Sequence, residues 1–298
     1  MPSILSLIAN PAKPVVDSHL AEAAREALAA AGSRPGEARW LAPGIALDLP
    51  LAAAAPERSL AAVRAALGET PVDANLIEAA GRRKRLLIAD MDSTIVTTET
   101  LDEMAAFAGL KEKIAAITRR SMNGEIDFAA ALRERVAMLA GLPVTALEKT
   151  LAATELTPGA RALVQTMRQH GAFTALISGG FTFFTGAIRQ RCGFHVDRSN
   201  VLDIADGKLT GRLAAPIVDR DAKLAALQEF TLAHGLAGDA SLAVGDGAND
   251  LAMLGAAGFG VAFRAKPIVA AEARLAINHG DLTALLYLQG YRQDEFRE

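Results

Sequence analysis

With 298 residues, 51% of them apolar and 22% charged, the chain has a globular rather than a disordered composition, and it is long enough for one large and one smaller domain. A net charge of −3 argues against a general nucleic-acid-binding protein. No apolar segment reaches the roughly 18–20 residues needed to span a membrane, no signal-peptide pattern is present, and Cys192 is the only cysteine, so we expect a cytoplasmic protein.

The first 80 residues predict a small α/β domain. Its strand and helix patterns follow one another in the order β-α-β-β-α-β, at residues 3–9, 17–31, 39–41, 45–49, 56–67 and 72–77. Asp17 and Gly32 mark the ends of the first helix, and Pro56 and Gly68 mark those of the second. This order is typical of a ferredoxin-like sandwich. The basic run at residues 82–85 is interpreted as a solvated linker.

Residues 81–298 predict a doubly wound, Rossmann-like α/β domain. Apolar strand patterns at residues 85–89, 172–177 and 241–244 alternate with helical patterns at residues 159–170, 181–191 and 221–234. Each of these strands ends abruptly at a polar or glycine residue. Because ligands bind outside the carboxyl ends of the strands in such sheets, we expect these ends to form the active edge.

Between residues 99 and 151 the pattern changes to nearly continuous helix, with no strand signal. This block directly follows the loop after the first strand of the sheet. We therefore predict a helical cap that covers the active edge and excludes water from it.

Asp90 and Asp92 follow the first strand of this sheet, in the run DMDST. Two carboxylates at alternate positions of an extended segment point the same way and form an oxygen-rich corner suited to Mg²⁺. An Asp-x-Asp pair is a weak motif by itself, and its position after a buried strand is what favours a functional interpretation.

Two further strand ends carry residues of the same kind. Ser178-Gly179-Gly180 provides a hydroxyl group and backbone N–H groups that can approach a phosphate at the start of a helix. The run Gly245–Asp250 places a third carboxylate, Asp246, between two glycines, with Asn249 and Asp250 at the start of the next helix. Each motif alone is equally consistent with an ordinary turn or cap.

Lys223 completes this set near the start of the helix at residues 221–234. A dianionic phosphoryl group repels an anionic nucleophile, so attack by a carboxylate requires a cation and a lysine to neutralise charge. The combination of an aspartate corner, a phosphate cradle and a lysine therefore indicates phosphoryl transfer to an aspartate.

The motifs as a set resemble those of the haloacid dehalogenase superfamily, and within it the phosphatases of phosphoserine. The resemblance covers residues 85–290 and rests on DMDSTIVTTETLDEMA, SMNGEIDFAAALRERVAML, LISGGF, DGKLTG, AVGDGANDLAML and AFRAKP. It implies Mg²⁺-dependent hydrolysis of O-phospho-L-serine to L-serine through an aspartyl-phosphate intermediate, the last step of serine biosynthesis. The first 80 residues are similar only in placement and topology to the amino-acid-binding, ACT-like modules of some members.

The resemblance also implies roles for individual residues. Asp90 becomes the nucleophile and Asp92 the general acid and base. Asp90, Asp246 and the backbone carbonyl of Asp92 hold Mg²⁺, with Asp250 in support. The phosphoryl oxygens and the rest of the substrate are bound by Thr94, Ser178, Gly179, Gly180, Lys223, Asn249 and the cap residues Glu99, Met122, Phe128 and Arg135. Of the cap residues, Glu99 binds the ammonium group, Arg135 binds the carboxylate, and Met122 and Phe128 enclose the site.

Several alternatives stay open. The same chemistry suits another small phosphomonoester such as phosphothreonine, or transfer of the phosphoryl group to an acceptor such as homoserine. A non-catalytic amino-acid sensor is a hypothesis of a different class. The N-terminal domain is compatible with serine binding, with formation of a homodimer, or with a purely stabilising role. We expect a small-molecule substrate and neither a nucleic-acid nor a membrane partner.

Overall fold

The chain folds as two units, and the computed structural model describes all of it, from Met1 to Glu298. Unit 1 comprises Met1–Lys84, Pro158–His170 and Leu275–Glu298, and unit 2 comprises Arg85–Thr157 and Gly171–Arg274. The division at residue 80 predicted from the sequence stays a prediction. No helix combines the length and the apolar character that crossing a membrane requires.

The twelve strands and twelve helices have the following bounds. The strands are β1 (Ser3–Ala9), β2 (Arg39–Ala42), β3 (Ala46–Pro50), β4 (Val72–Glu78), β5 (Leu86–Ala89), β6 (Phe173–Phe181), β7 (Val196–Asn200), β8 (Leu202–Ala205), β9 (Lys208–Leu213), β10 (Ser241–Gly245), β11 (Phe259–Phe263) and β12 (Leu275–Ile277). The helices are α1 (Ser18–Ala30), α2 (Ser59–Leu67), α3 (Thr100–Ala106), α4 (Lys111–Met122), α5 (Phe128–Ala137), α6 (Val144–Ala153), α7 (Ala160–Gln169), α8 (Thr182–Cys192), α9 (Arg220–Ala233), α10 (Leu251–Ala256), α11 (Pro267–Glu272) and α12 (Ala284–Leu288).

The first six elements of unit 1 form the predicted ferredoxin-like sandwich. The antiparallel sheet has the order β2-β3-β1-β4, with α1 and α2 as the two crossover helices. Alternate residues of β1, Leu5, Leu7 and Ala9, share one face of the strand and belong to the same buried cluster as Leu28 of α1 and Val63 of α2. The apolar faces of the strands and of the helices therefore pack into one core.

The start and end of α1 follow from local chemistry. Asp17 has an extended backbone, and its side chain accepts a hydrogen bond from the Leu20 N–H. Gly32, just past the helix, adopts a φ of +90°, a left-handed conformation that favours glycine. The second predicted helix was placed too early, because Pro56 lies in a turn and α2 begins only at Ser59.

The basic run before β5 is only partly solvated, because Arg83 and Arg85 are exposed while Arg82 and Lys84 are not. Arg82 donates to both carboxylate oxygens of Asp48 and to the carbonyl oxygens of Tyr287 and Leu288, all within unit 1. The Lys84 side chain is buried and donates to the Gly81 carbonyl. The prediction of solvated side chains was wrong for Arg82, because partners as distant along the chain as Asp48 and Tyr287 leave no trace in the local sequence.

Unit 2 contains five parallel strands in the order β11-β10-β5-β6-β7. All residues of β5, β10 and β11 are buried, which explains their continuous apolar runs. Ala89 at the end of β5 is in register with Val244 of β10 and Leu176 of β6. The residues that follow these strands therefore emerge side by side at one edge, as predicted.

The cap of unit 2 comprises four helices, α3 to α6, with no strand. An unpredicted two-stranded sheet, β8-β9, also belongs to this unit. The strands are joined at Asp206-Gly207, whose φ angles of 49° and 72° are both positive, the conformation typical of a tight hairpin turn. The turn brings Lys208 against Pro143, just before α6.

Two boundaries at the active edge differ from the prediction. Strand β6 continues through Ser178, Gly179 and Gly180 to Phe181, and α8 begins at Thr182. The two glycines thus belong to an extended segment with an irregular register against β7, rather than to a helix N-terminus. Local patterns place a break at glycines, whereas pairing with β7 extends the strand past them.

Candidate active site

The loop after β5 carries Asp90 and Asp92 into the site. Asp90 has an extended backbone, and Ser93 has a φ of 54°, which turns the chain sharply within Met91–Ile95. The turn lets Asp92 accept a hydrogen bond from the Thr100 N–H at 2.9 Å. Thr94 donates to Asp246 across the site at 3.2 Å. The loop is therefore joined both to the cap and to the end of β10.

Lys223 is fully buried and links two carboxylates. Its Nζ lies 2.6 Å from Asp90 Oδ1 and 2.6 Å from Asp250 Oδ1. The other oxygen of Asp250 accepts the N–H groups of Asp246 and Gly247, at 3.2 and 3.1 Å. Asp250 therefore orients both the lysine and the loop that carries Asp246.

The electrostatics of this centre are dominated by negative charge. Burial raises the pKa of Asp90 well above its usual value, and Asp250 adds to the effect while Lys223 opposes it. Burial also raises the pKa of Asp246, with Glu99 and Asp250 contributing in the same direction. Burial alone lowers the pKa of Lys223, but the neighbouring carboxylates raise it overall. One lysine thus faces more negative charge than it neutralises.

The carboxylates fit a divalent metal ion. Ligand oxygens of Asp90, Asp246 and Asp250 lie within 4.8 Å of one another. Asp246 Oδ2 is buried without a hydrogen-bond partner and lies 3.5 Å from Lys266 Nζ. An unsatisfied buried carboxylate oxygen is costly, and a hard cation with oxygen ligands removes that cost. Both oxygens of Asp250 are already engaged, so Asp90 and Asp246 are the better ligands.

Asp92 lies next to the phosphate cradle predicted at Ser178. Its Oδ2 is 3.5 Å from Ser178 Oγ. Burial, with Glu99 acting in the same direction, raises the pKa of Asp92 to about 7, although the hydrogen bond from Thr100 opposes the shift. A carboxyl group that titrates near neutrality can both give and take a proton during turnover.

The two glycines after Ser178 are required by close contacts. A Cβ atom at Gly179 would lie 2.4 Å from the ring of Phe128 in the cap, and one at Gly180 would lie 2.7 Å from Asp92 Oδ2. The Gly180 N–H donates to Ser178 Oγ at 2.9 Å. Any side chain at these two positions would clash, so only glycine allows the backbone to pass this close to the site.

Arg135 is buried in the cap without a carboxylate partner. It is 3% exposed and donates to Thr118 Oγ1 at 2.8 Å and to the Ala131 carbonyl at 3.2 Å, but it forms no ion pair. Thr118 in turn donates to Asp102 at 2.7 Å. Burial lowers the pKa of Arg135, whereas Asp102 and Glu99 raise it. The guanidinium group is thus oriented by neutral groups and left available to an anionic ligand.

A single cavity connects these groups. Its lining residues are Asp90, Asp92, Glu99, Leu101, Met122, Phe128, Leu132, Arg135, Ser178, Gly179, Gly180, Phe181, Asp246 and Asn249. Eleven of these were predicted from the sequence. Lys223, Asp250 and Thr94, also predicted, contact the carboxylates of the site. Their individual roles stay predictions.

The sequence did not identify Leu101, Leu132, Phe181 or Lys266. The three apolar residues lie on elements whose periodicity shows only that they are buried, not that they line a cavity. Lys266 follows β11 and lies beside Asp246, and the resemblance contained it within AFRAKP without assigning it a role.

The fold and the site define an α/β protein of the hydrolase type, with an acidic metal centre at the carboxyl edge of a parallel sheet and a helical cap above it. The haloacid dehalogenase-like hydrolase family matches residues 87–255. The chain belongs to this family.

Relatives and solved structures agree with this assignment. A phosphoserine phosphatase from Streptomyces coelicolor is 43% identical over 80% of the chain and 58% of its own length. A solved HAD family hydrolase from Salmonella enterica serovar Typhi is 30% identical, with a TM-score of 0.84 over 96% of this chain and 98% of that one. A structure of a phospho-aspartyl intermediate analogue of phosphoserine phosphatase is 36% identical, with a TM-score of 0.66 over 69% of this chain and 98% of that one.

The chain spans between about half and two thirds of the length of several curated relatives that it matches at 43–44% identity.

Proposed function

We propose that this protein hydrolyses O-phospho-L-serine to L-serine and inorganic phosphate through a phosphorylated aspartate. The observation that carries the proposal is a single cavity that joins a carboxylate-rich phosphoryl centre to a buried arginine and a glutamate in the cap. A phosphorylated amino acid has the complementary groups, namely phosphate, carboxylate and ammonium. The names of the relatives and of the solved structures support the same substrate.

In the first step, a carboxylate oxygen of Asp90 attacks phosphorus, and the bond from phosphorus to the serine oxygen breaks. Asp92 gives its proton to that oxygen, and serine leaves. In the second step, Asp92 accepts a proton from water, which attacks the aspartyl phosphate, so that phosphate leaves and Asp90 is restored. The pKa of about 7 suits Asp92 to both proton transfers.

We assign Mg²⁺ to the centre, held by the side chains of Asp90 and Asp246 and the backbone carbonyl of Asp92. When bound, it neutralises charge on the phosphoryl oxygens and on the attacking carboxylate. Lys223 supplies a second positive charge beside Asp90, and Asp250 keeps the lysine in place.

The phosphoryl oxygens are assigned to hydrogen-bond donors around the nucleophile. These donors are Thr94, Lys223, Asn249, the hydroxyl group of Ser178, and the backbone N–H groups of Gly179 and Gly180. Asn249 Oδ1 is buried without a partner, and its Nδ2 is the atom assigned to donate to a phosphoryl oxygen. Such preorganised donors stabilise charge in the transition state.

The cap determines the substrate. Arg135 is assigned to the serine carboxylate, because a planar guanidinium group binds carboxylates through paired hydrogen bonds. Glu99 is assigned to the ammonium group, and its carboxylate is oriented by the Ser93 hydroxyl group at 2.6 Å. Met122 and Phe128 enclose the substrate, and Phe128 packs directly over Gly179.

A substrate panel tests this proposal. We expect phosphate release from phosphoserine to be faster with Mg²⁺ than without it. With Mg²⁺ present, we expect release from phosphoserine to be at least tenfold faster than from phosphothreonine or sugar phosphates. A higher rate with another phosphomonoester would contradict the assigned roles of Glu99 and Arg135. Added homoserine provides the test for phosphoryl transfer, because transfer would yield phosphohomoserine in place of free phosphate.

Two further hypotheses accompany the proposal. A homodimer through the N-terminal domain is compatible with β2, which lies at the edge of its sheet and exposes Trp40. Sedimentation analysis of the full chain tests it, since a monomer at micromolar concentration would exclude it. A cytoplasmic location stays a prediction.

A further inference from the structure

Asn200, at the end of β7, is a fully buried residue whose side chain binds two backbone segments. Its Nδ2 donates to the Gly179 carbonyl at 2.8 Å, and its Oδ1 accepts the Val218 N–H at 2.8 Å. The side chain therefore uses both its donor and its acceptor on main-chain groups. It neither lines the cavity nor contacts a carboxylate of the site.

The first hydrogen bond orients a peptide of the phosphate cradle. The carbonyl of Gly179 and the N–H of Gly180 belong to one trans peptide, so they point in opposite directions. Because Asn200 holds the carbonyl on the β7 side, the Gly180 N–H is directed to the other side, where it donates to Ser178 Oγ. Without Asn200, two glycines have little to prevent this peptide from rotating.

The second hydrogen bond holds the segment that leads into α9. Val218 directly precedes Asp219, which caps this helix by accepting the Ala222 N–H at 3.0 Å. Lys223 follows in the first turn of α9, with Nζ on Asp90. One side chain thus joins the glycine cradle to the entry of the helix that carries the lysine.

We propose that Asn200 is a positioning residue for phosphoryl transfer, which keeps the Gly179–Gly180 peptide and the start of α9 at a fixed separation around the phosphoryl group. The inference rests on the proposed function of these two elements in binding phosphate. Asn200 acts through them and touches no reacting atom.

The test compares Asn200→Ala with a matched control, Asn75→Ala. Asn75 in unit 1 is equally buried and also uses both its donor and its acceptor on backbone, donating to the Ala276 carbonyl and accepting the Ala276 N–H. Both variants lose two such bonds, so we expect similar decreases in melting temperature. Removing one preorganised donor from an active site lowers the rate about 10²–10³-fold. Because the effect of Asn200 is indirect, we expect Asn200→Ala to lower kcat by a smaller factor, about 10- to 100-fold. We expect Asn75→Ala to keep kcat within about twofold.

Inhibition by inorganic phosphate separates positioning from stability. We expect Asn200→Ala to weaken phosphate binding at least about tenfold and Asn75→Ala to leave it unchanged. Asn200→Leu gives a second readout, because a side chain of similar size can neither donate to the Gly179 carbonyl nor accept the Val218 N–H. It should lose phosphate affinity as Asn200→Ala does. If Asn200→Ala fails to fold, Asn200→Ser takes its place.

Equal kcat/KM and phosphate affinity in Asn200→Ala and Asn75→Ala would overturn the inference, as would wild-type affinity in Asn200→Leu. Measuring p-nitrophenyl phosphate beside phosphoserine separates this result from the substrate assignment. A wild-type protein that cleaves only the aryl phosphate refutes phosphoserine as the substrate, yet the effect of Asn200 is still measured. A wild-type protein that cleaves neither and binds no phosphate refutes both.

Discussion

Buried charges occur in both units, but their partners differ. In unit 1, Asp48 is paired with Arg82 through both carboxylate oxygens, and Asp73 accepts backbone N–H groups from residues 278–280 on both of its oxygens. In unit 2, the buried Asp246 Oδ2 accepts no hydrogen bond and has Lys266 Nζ only at 3.5 Å, and Arg135 is buried with no carboxylate partner.

This difference distinguishes structural from functional burial of charge. A buried ion whose partners are all supplied by the protein stabilises one conformation, and removing a partner is costly. A buried ion whose hydrogen-bonding or ion-pairing capacity is not filled by the protein keeps its desolvation cost until a ligand binds, and this favours binding. The incompletely paired charges in unit 2 are of both signs: a negative centre lies at the strand ends and a positive group lies in the cap.

The largest expected effect follows from a substitution in the negative centre of unit 2. Asp90→Asn removes the nucleophile while preserving side-chain size, so we expect kcat for phosphoserine to fall at least about 10⁴-fold. Circular dichroism should show an unchanged fold, since the site and not the core is altered. Turnover within tenfold of wild type would exclude Asp90 as the nucleophile.

The converse change breaks a satisfied pair in unit 1. Asp48→Ala leaves Arg82 buried without its carboxylate, and we expect the free energy of unfolding to fall by about 3–5 kcal/mol. Denaturant titration measures this loss, and kcat of the folded protein at low temperature should stay within about twofold of wild type. A large loss of kcat with little loss of stability would remove the distinction between the two regions.

The cap arginine should affect one substrate selectively. We expect Arg135→Ala to lower kcat/KM for phosphoserine about a hundredfold and to change it little for an aryl phosphate, which has no carboxylate. Arg133→Ala, two residues earlier on the exposed face of α5, is the matched control. Equal losses on both substrates would contradict a role for Arg135 in carboxylate binding.

The smallest expected effect concerns Asp102, which accepts a hydrogen bond from the hydroxyl group of Thr118, the residue that binds Arg135. Burial raises its pKa from 3.8 to about 6, opposed by Thr118 and Arg135. Between these values the folded state holds a proton that the unfolded state lacks, so the contribution of Asp102 to stability falls as pH rises through this window.

Asp102→Asn removes that dependence. Its melting temperature should therefore rise relative to wild type by a few degrees between pH 4.5 and pH 7, with no further change above. Glu112→Gln, on the exposed surface of α4, is the control. A difference between Asp102→Asn and wild type that stays constant with pH would show that the charge of Asp102 is not buried at a cost.

The sequence predicted the elements that local patterns define. Continuous apolar runs located β5 and β10, and the polar residues after them placed Asp90 and Asp246 at one edge, as the register of Ala89 with Val244 confirms. Alternation and helix caps located the N-terminal sandwich. The cap was predicted as helix because no strand pattern interrupts it.

What the sequence missed depends on contacts between distant residues. Asn200 ends a short, mostly polar strand that no apolar run reveals, and its two partners lie 21 and 18 residues away along the chain. The extension of β6 past two glycines depends on pairing with β7. The burial of Arg82 depends on Asp48, 34 residues earlier.

The most direct test of the account is to identify the phosphorylated residue. Acid quenching during turnover of phosphoserine with Mg²⁺, followed by peptide mass spectrometry, should find a phosphoryl group on Asp90. It should be absent from Asp90→Asn and from samples without the ion. Steady turnover with no covalent phosphate, or with phosphate on another residue, would contradict the account.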